Sequence, residues 1–226
     1  NDNWSANYIK FIFKFENFHL LFKRNFMNDT SFSPENVEKA VAISQDNNSP
    51  NIQEAVDFLN EWCQQPDSII TALQLMPTTP TFYTGFVLST NIKNKTADYY
   101  GQMTKDQQNE YRESLVNLIF SCEDVSNIIS FNLINALCDI AIYDWPDDYP
   151  NFSFVSIPPN DSPNLHISLR ILSTFMTNID STRNITDRHR NDLRQYISTQ
   201  LHDQIANIIV TFISVPELSE DVLTIC

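Results

Sequence analysis

Only two glycines stand in 226 residues, against about 7% in ordinary globular domains. The tight primed hairpins of all-β folds, the turns that cradle dinucleotides and the phosphate loops all depend on glycine. Their absence leaves an all-helical chain as the expected fold class. Apolar residues make up 42% of the sequence, enough for a packed core and too many for a disordered chain. A chain of this length holds one large domain or two small ones. It buries roughly 70% of its unfolded surface on folding, so it needs no disulfide or metal to stay folded.

The formal net charge is −14, and it is unevenly spread. Residues 1–26 carry Lys10, Lys14, Lys23 and Arg24 against only Asp2 and Glu16, so the remainder is more acidic than the whole. An acidic body repels phosphate backbones, which disfavours direct nucleic-acid binding and favours basic partners. Residues 4–26 (WSANYIKFIFKFENFHLLFKRNF) are rich in phenylalanine, but Lys14 and Glu16 interrupt them. No membrane span or signal peptide is expected there. Two readings stay open: an amphipathic helix lying on a membrane surface, or sequence preceding the native start at Met27, the first methionine. Residues 1–26 are therefore set apart from the fold.

Cys63, Cys122, Cys138 and Cys226 lack the C-x-x-C spacing, and His19, His166, His189 and His202 form no H-E-x-x-H. Structural zinc is not expected, and the cysteines read as buried thiols of a reducing compartment, cytosol or nucleus. The N-x-S/T triplets, such as the one at Asn94, follow from the abundance of asparagine.

From Ser33 onward, apolar residues recur at helical spacing between short breaks. Ser33-Pro34 is a helix start with a capping hydroxyl. It is followed by Val37, Ala40 and Val41, then by a break at Asp46–Pro50. Ile52, Ala55, Val56, Leu59 and Trp62 form the next stripe, and Ile69, Leu73 and Met76 the one after it. A longer helix is expected over 81–99. Thr104 and Gln107 spell a capping box ahead of Tyr111, Leu115, Leu118 and Ile119. A helix over 124–143 is expected to stop at Trp145-Pro146. Ser162-Pro163 opens another, and a last long helix runs from Asp187 through Leu193, Ile197, Leu201, Ile205 and Phe212. Pro216-Glu217 looks like the first turn of one more. Helix pairs recurring every 40–45 residues or so fit an α-α superhelix of HEAT or armadillo repeats, here expected as the N-terminal fragment of a longer solenoid. A compact bundle is the competing architecture.

Several runs carry a resemblance. Asn51–Asp67 (NIQEAVDFLNEWCQQPD) matches an A-x-x-x-L-x-x-[FW]-x-x-x-P helix. Phe82–Lys93 (FYTGFVLSTNIK) and Arg112–Ile119 (RESLVNLI) follow in order. Leu137–Pro150 (LCDIAIYDWPDDYP) contains a W-P-x-x-[WYF]-P corner, and Leu169–Leu172 and Leu193–Ile197 come after it. In order and spacing these resemble the N-terminal part of the importin-β/exportin (karyopherin-β) family. That part comprises an importin-N region and an exportin-one/importin-β-like domain. The likeness is shared between an exportin-six-like branch, through Asp144-Trp145-Pro146 and residues 184–194, and an importin-thirteen or transportin-three-like branch, through Val37–Ala40. The resemblance implies helical repeats over 27–120, a second set over 121–226 truncated at its end, and a nuclear transport receptor shuttling between nucleus and cytoplasm. It implies binding of the GTPase Ran in its GTP form, of protein cargo and of nuclear pore proteins, with no cofactor. Tyr83, Asn91, Lys95, Asp139 and Asp144 are the partner-binding candidates it places on the inner helices.

The corner also has a physical reading. Pro146 and Pro150 disfavour helix at Trp145 and Tyr149, so Trp145, Pro146, Tyr149 and Pro150 are expected to form a rigid elbow plugged by aromatics. No catalytic set, cofactor loop or metal-ligand spacing is legible, and no enzyme is expected. Asp147-Asp148 reads as a solvated turn. Arg183, Arg188, Arg190 and Arg194 read as a solvated helix start paired with Asp187 and Asp192. A stand-alone helical-repeat adaptor without Ran binding is the alternative function.

Overall fold

A computed structural model describes residues 31–78, 81–122, 127–152, 165–182 and 185–213. The basic-aromatic segment 1–26, Arg183, the Ser162-Pro163 start and the chain beyond residue 213 lie outside the described residues. All described elements are helical, with no strand among the described residues. The chain divides into two compact units, Asn1–Thr71 and Ala72–Cys226.

The described part of the first unit is a helical hairpin. Helix α1 spans Pro34–Gln45 and α2 spans Ile52–Gln64. Ser33 caps α1 as its sequence predicts, its Oγ accepting from the Asn36 N–H at 3.3 Å. The break between the helices is closed by Asp46, whose carbonyl accepts from Ser49 N–H at 2.8 Å and whose carboxylate accepts from Asn48 N–H at 3.0 Å. The turn brings Val37, Ala40 and Val41 against the stripe Ala55, Phe58, Leu59 and Trp62, all fully or nearly fully buried. Phe32 packs on Phe58 with ring centroids 5.2 Å apart. Each large side chain so buried contributes about 2 kcal/mol. Pro66 follows the end of α2, and α3 (Ser68–Leu75) runs across the boundary between the units.

In the second unit, α4 spans Phe82–Tyr99 and starts at a Thr81 cap. A short 3₁₀ turn over Tyr100–Gln102 leads into α5, Lys105–Ser121. The capping box is complete: Gln107 N–H donates to Thr104 Oγ1 at 3.3 Å and Thr104 N–H to Gln107 Oε1 at 2.9 Å. Helices α4 and α5 are antiparallel. Tyr111 Oη lies 2.6 Å from Thr96 Oγ1, and Gln108 Nε2 donates to the Tyr100 carbonyl.

Helix α6, Ile128–Asp144, is apolar on nearly every side, and a helix of that kind belongs in the middle of a core. Leu133, Ile134, Ala136, Leu137, Cys138, Ala141 and Ile142 have no exposed surface. It packs on α4, α5 and α7, the last spanning Leu165–Ser181. Against α4 it runs parallel: Asn132 Nδ2 donates to Ser89 Oγ and Thr90 Oγ1, both at 3.2 Å, while Tyr100 meets Asp144 at the far end. Against α7 it runs antiparallel, with Asn178 Nδ2 donating to Asn135 Oδ1 at 3.2 Å and Cys138 Sγ 3.5 Å from the Ile171 carbonyl.

Helix α8, Asp187–Tyr196, and α9, His202–Ile213, are joined without a break by a π-helical turn over Ile197–Leu201. The sequence pattern accounts for the wide turn. Leu193, Ile197 and Leu201 are buried and fall four residues apart. A straight α-helix, at 3.6 residues per turn, lets such a stripe drift off its face, and a wider turn brings it back. The sequence reading of one unbroken regular helix from Asp187 missed this.

Candidate functional site

All five polar residues nominated from the sequence sit on the parallel pair α4 and α6, in different surroundings. Tyr83 is half-buried near the start of α4. Asn91 is buried in it. Lys95 is half-buried, its ammonium 4.8 Å from the Tyr99 ring. Asp139 is half-buried on α6, and burial raises its carboxyl above the usual range while the neighbouring Lys93 pulls the other way. The Lys93 ammonium also lies 5.4 Å from the Phe131 ring. Lys93, Phe131 and Asp139 thus form one mixed patch where α4 meets α6.

Asp144, the fifth, belongs to a separate and more elaborate cluster at the end of α6. Its Oδ2 accepts from the Tyr100 hydroxyl at 2.6 Å and from Arg112 NH1 at 3.3 Å. The same Arg112 nitrogen donates to the Asp148 carbonyl at 3.0 Å, and NH2 donates to Asn109 Oδ1. The guanidinium carbon stacks 4.6 Å from the Tyr149 ring, a cation–π contact strengthened by exclusion of water. The side chains of Arg112 and Asp144 are 7% and 15% exposed. One buried cation therefore joins α5, the last turn of α6 and the corner that follows. At the rim, Lys105 pairs with Asp148 at 2.9 Å in full contact with solvent.

The corner folds back on that cluster. Asp148 N–H and Tyr149 N–H both donate to the Asp144 carbonyl, at 2.7 and 3.0 Å. The peptide bond between Trp145 and Pro146 is cis. Trp145, Tyr149 and Phe152 are buried, whereas Pro150 lies at the surface. Trp145 stands edge-on to Phe175 of α7 at 5.6 Å, to Tyr196 of α8 at 4.9 Å and to Phe152 at 6.0 Å. Phe152 in turn packs on Phe175 at 4.8 Å. Edge-to-face contacts of this kind add to the apolar burial.

Helix α8 is fastened by two further side chains. His189 Nε2 lies 2.7 Å from the Ile142 carbonyl. Since a carbonyl only accepts, that nitrogen carries the proton. Arg190 covers the end of α7, NH1 donating to the Ile179 and Asp180 carbonyls at 2.6 and 2.7 Å and NH2 to that of Thr182 at 2.9 Å. Carbonyls in the last turn of a helix have no partner within it, and a guanidinium satisfies them while matching the negative end of the helix dipole. Arg194 pairs with Asp180 at 2.5 Å. Arg188 pairs with Asp192 at 3.9 Å, the i,i+4 arrangement read from the sequence.

The sequence reading gave no role to Arg112, Tyr100 and His189, and its expectation that Arg190 is solvated is corrected: the side chain is 16% exposed and ends on three backbone carbonyls. A signal existed for Arg112. It lies among the inward positions Gln108, Tyr111 and Leu115 of α5, while Asp144 closes the inward stripe of α6. Opposite charges on two apolar stripes are a pairing signal. His189 gave none, and for Arg190 the local pairing with Asp187 at 3.9 Å was legible but its backbone-carbonyl partners were not.

The cluster has a titration signature. Burial pushes the Tyr149 phenol up to about 12, with the Arg112 charge opposing it, and raises Tyr100 and Tyr111 as well. Burial likewise raises the Cys138 thiol, which favours the neutral, unreactive form. Below the unfolded tyrosine value of 10.0 both states hold their protons and no stability is lost. Above it the unfolded chain ionises first, so stability falls as the pH rises from 10 to about 12, by about 1.4 kcal/mol per pH unit for each such phenol. Urea melts at pH 9, 10, 11 and 12 check this. A Tyr149→Phe variant should show a shallower fall, and an equal slope would contradict the assignment.

Among the described residues, no three His, Cys, Asp or Glu side chains are placed to share a metal ion, and no helix is long and apolar enough to cross a membrane. The two clusters hold helices together: Lys93 and Asp139 join α4 to α6, and Arg112 joins α5 to the end of α6 and the corner. No protein-family model matches this chain, and no curated protein matches it.

Proposed function

We propose that this chain is part of a helical-repeat protein-binding scaffold of the nuclear-transport-receptor kind. In that reading it binds Ran in the GTP form, carries protein cargo past nuclear pore proteins and moves between nucleus and cytoplasm. The observation that carries it is the alternation in the second unit. Helices α4 and α6 lie parallel and in contact, while α5 and α7 run antiparallel to α6. That order is what successive helix pairs of an α-α superhelix produce, each burying its apolar stripe against the next. The acidic balance, −14 overall, favours a basic partner surface. The motif resemblance over 34–213 supplies the particular partner.

The test is a titration of the chain with Ran loaded with a non-hydrolysable GTP analogue or with GDP, at two salt concentrations. Binding selective for the GTP form and weakened by salt is the expected result. Equal affinity for both forms counts against the receptor reading, and no binding by folded protein favours the adaptor.

A further inference from the structure

We propose that Arg112 is a strap that sets the seat of α8 by acting through the corner between α6 and α7. The residue lies on α5, yet its donors end on the corner. NH1 holds the Asp148 carbonyl and the Asp144 carboxylate, and the guanidinium lies against the Tyr149 ring. The corner begins at Trp145, whose ring stands 4.9 Å from Tyr196 at the end of α8. Just before the corner, the Ile142 carbonyl takes the His189 ring nitrogen near the start of α8. The end of α8 is thus fastened to the corner that Arg112 holds, and its start to the last turns of α6. Two more attachments, Arg190 and Arg194 on the end of α7, are independent of the corner. Leu193 is the one buried residue within α8, and its stripe continues only in Ile197 and Leu201 of the π-helical turn. Helices with little burial open at low free-energy cost, so the seat of α8 depends on where the corner puts Trp145.

A helix is coupled to a distant side chain when one intervening element has to move for both. Here that element is 145–152. Arg112 is a positioning residue in this sense. Its effect on α8 passes through Trp145 and Tyr196, and by linkage it is reciprocal.

Hydrogen exchange read by mass spectrometry tests the proposal on the full chain. In Arg112→Met, amides of the corner and of α8 should exchange about tenfold faster than in the parent, while those of α4 change by less than about twofold. Arg112→Lys keeps a charge for Asp144 but not the second bond or the ring contact, and should give the same pattern at smaller size. The decisive comparison places Arg112→Met in a Tyr196→Ala background. If the strap acts through Trp145 and Tyr196, the substitution adds little at α8 there, as a thermodynamic cycle requires for coupled sites. Unchanged α8 exchange in both Arg112 variants would overturn the proposal. So would a uniform rise across all helices in Arg112→Lys, or full additivity with Tyr196→Ala.

Discussion

Trp145→Ala should lower stability by about 3–5 kcal/mol, the usual cost of removing a buried indole. Trp145 is 3% exposed and touches three other aromatic rings, from the corner, α7 and α8. Two effects add. The transfer free energy of the indole is lost, and the hole left behind cannot close easily, because Phe152 and Phe175 are themselves packed on each other. Edge-to-face contacts contribute a further ~1 kcal/mol. A conservative Trp145→Phe keeps part of the ring stack and should cost less than half as much. Urea denaturation followed by far-ultraviolet circular dichroism gives the values. A loss below about 1.5 kcal/mol for Trp145→Ala would mean that the corner is dispensable to the second unit.

Asp144→Ala should cost about 3 kcal/mol, the lower end of the range for breaking a buried ion pair. The figure is at the lower end because Arg112 keeps the Asp148 carbonyl, Asn109 and the Tyr149 ring. It is still large, because the change leaves a nearly buried guanidinium without its counter-charge and the Tyr100 hydroxyl without its acceptor. The rim pair Lys105–Asp148 is the internal control. Its side chains are 65% and 60% exposed, so solvent screens it, and Lys105→Ala should change stability by no more than about 0.5 kcal/mol. Replacing Arg112 and Asp144 together by Met and Leu should cost less than Asp144→Ala alone, since no unpaired charge is then buried. If the double variant were the less stable, the ion pair would be contributing more than its own desolvation.

Much of the local structure is legible along the chain. Ser33 and Thr104 each cap the helix their position predicts, and Thr186 caps α8 in the same way, because a capping hydroxyl acts within three residues of itself. The stops at Asp46–Pro50 and Trp145-Pro146 are equally local, set by proline and by turn-forming side chains. The central place of α6 is also readable, since a helix apolar on nearly every side has nowhere else to go. The candidate residues fared differently. Tyr83, Asn91, Lys95 and Asp139 were chosen for polarity on expected inner faces, and the fold gives them surroundings that range from fully buried Asn91 to half-exposed partners of Lys93 and Tyr99. Asp144 is nominated with them as an inner-helix position, and its carboxylate is engaged by Tyr100 and Arg112 within the chain.

The sequence by itself determined the helical class, most helix boundaries and most inward residues of α1, α2 and α5, but not of α3, where Ala72 and Leu75 are buried in place of Leu73 and Met76. Those depend on side-chain spacing, capping chemistry and the scarcity of glycine, all of which act over a few residues. Only the tertiary structure decided that α4 and α6 run parallel, that Arg112 ends on a backbone carbonyl of the corner, and that Arg190 closes α7. Contacts between residues tens of positions apart depend on how the helices cross, and a backbone carbonyl is the same at every position, so no pattern of side chains announces which one a guanidinium will find. The π-helical turn at Ile197–Leu201 lies between the two cases: the four-residue spacing is written in the sequence, but only burial of that face within the fold makes the wider turn the favourable one.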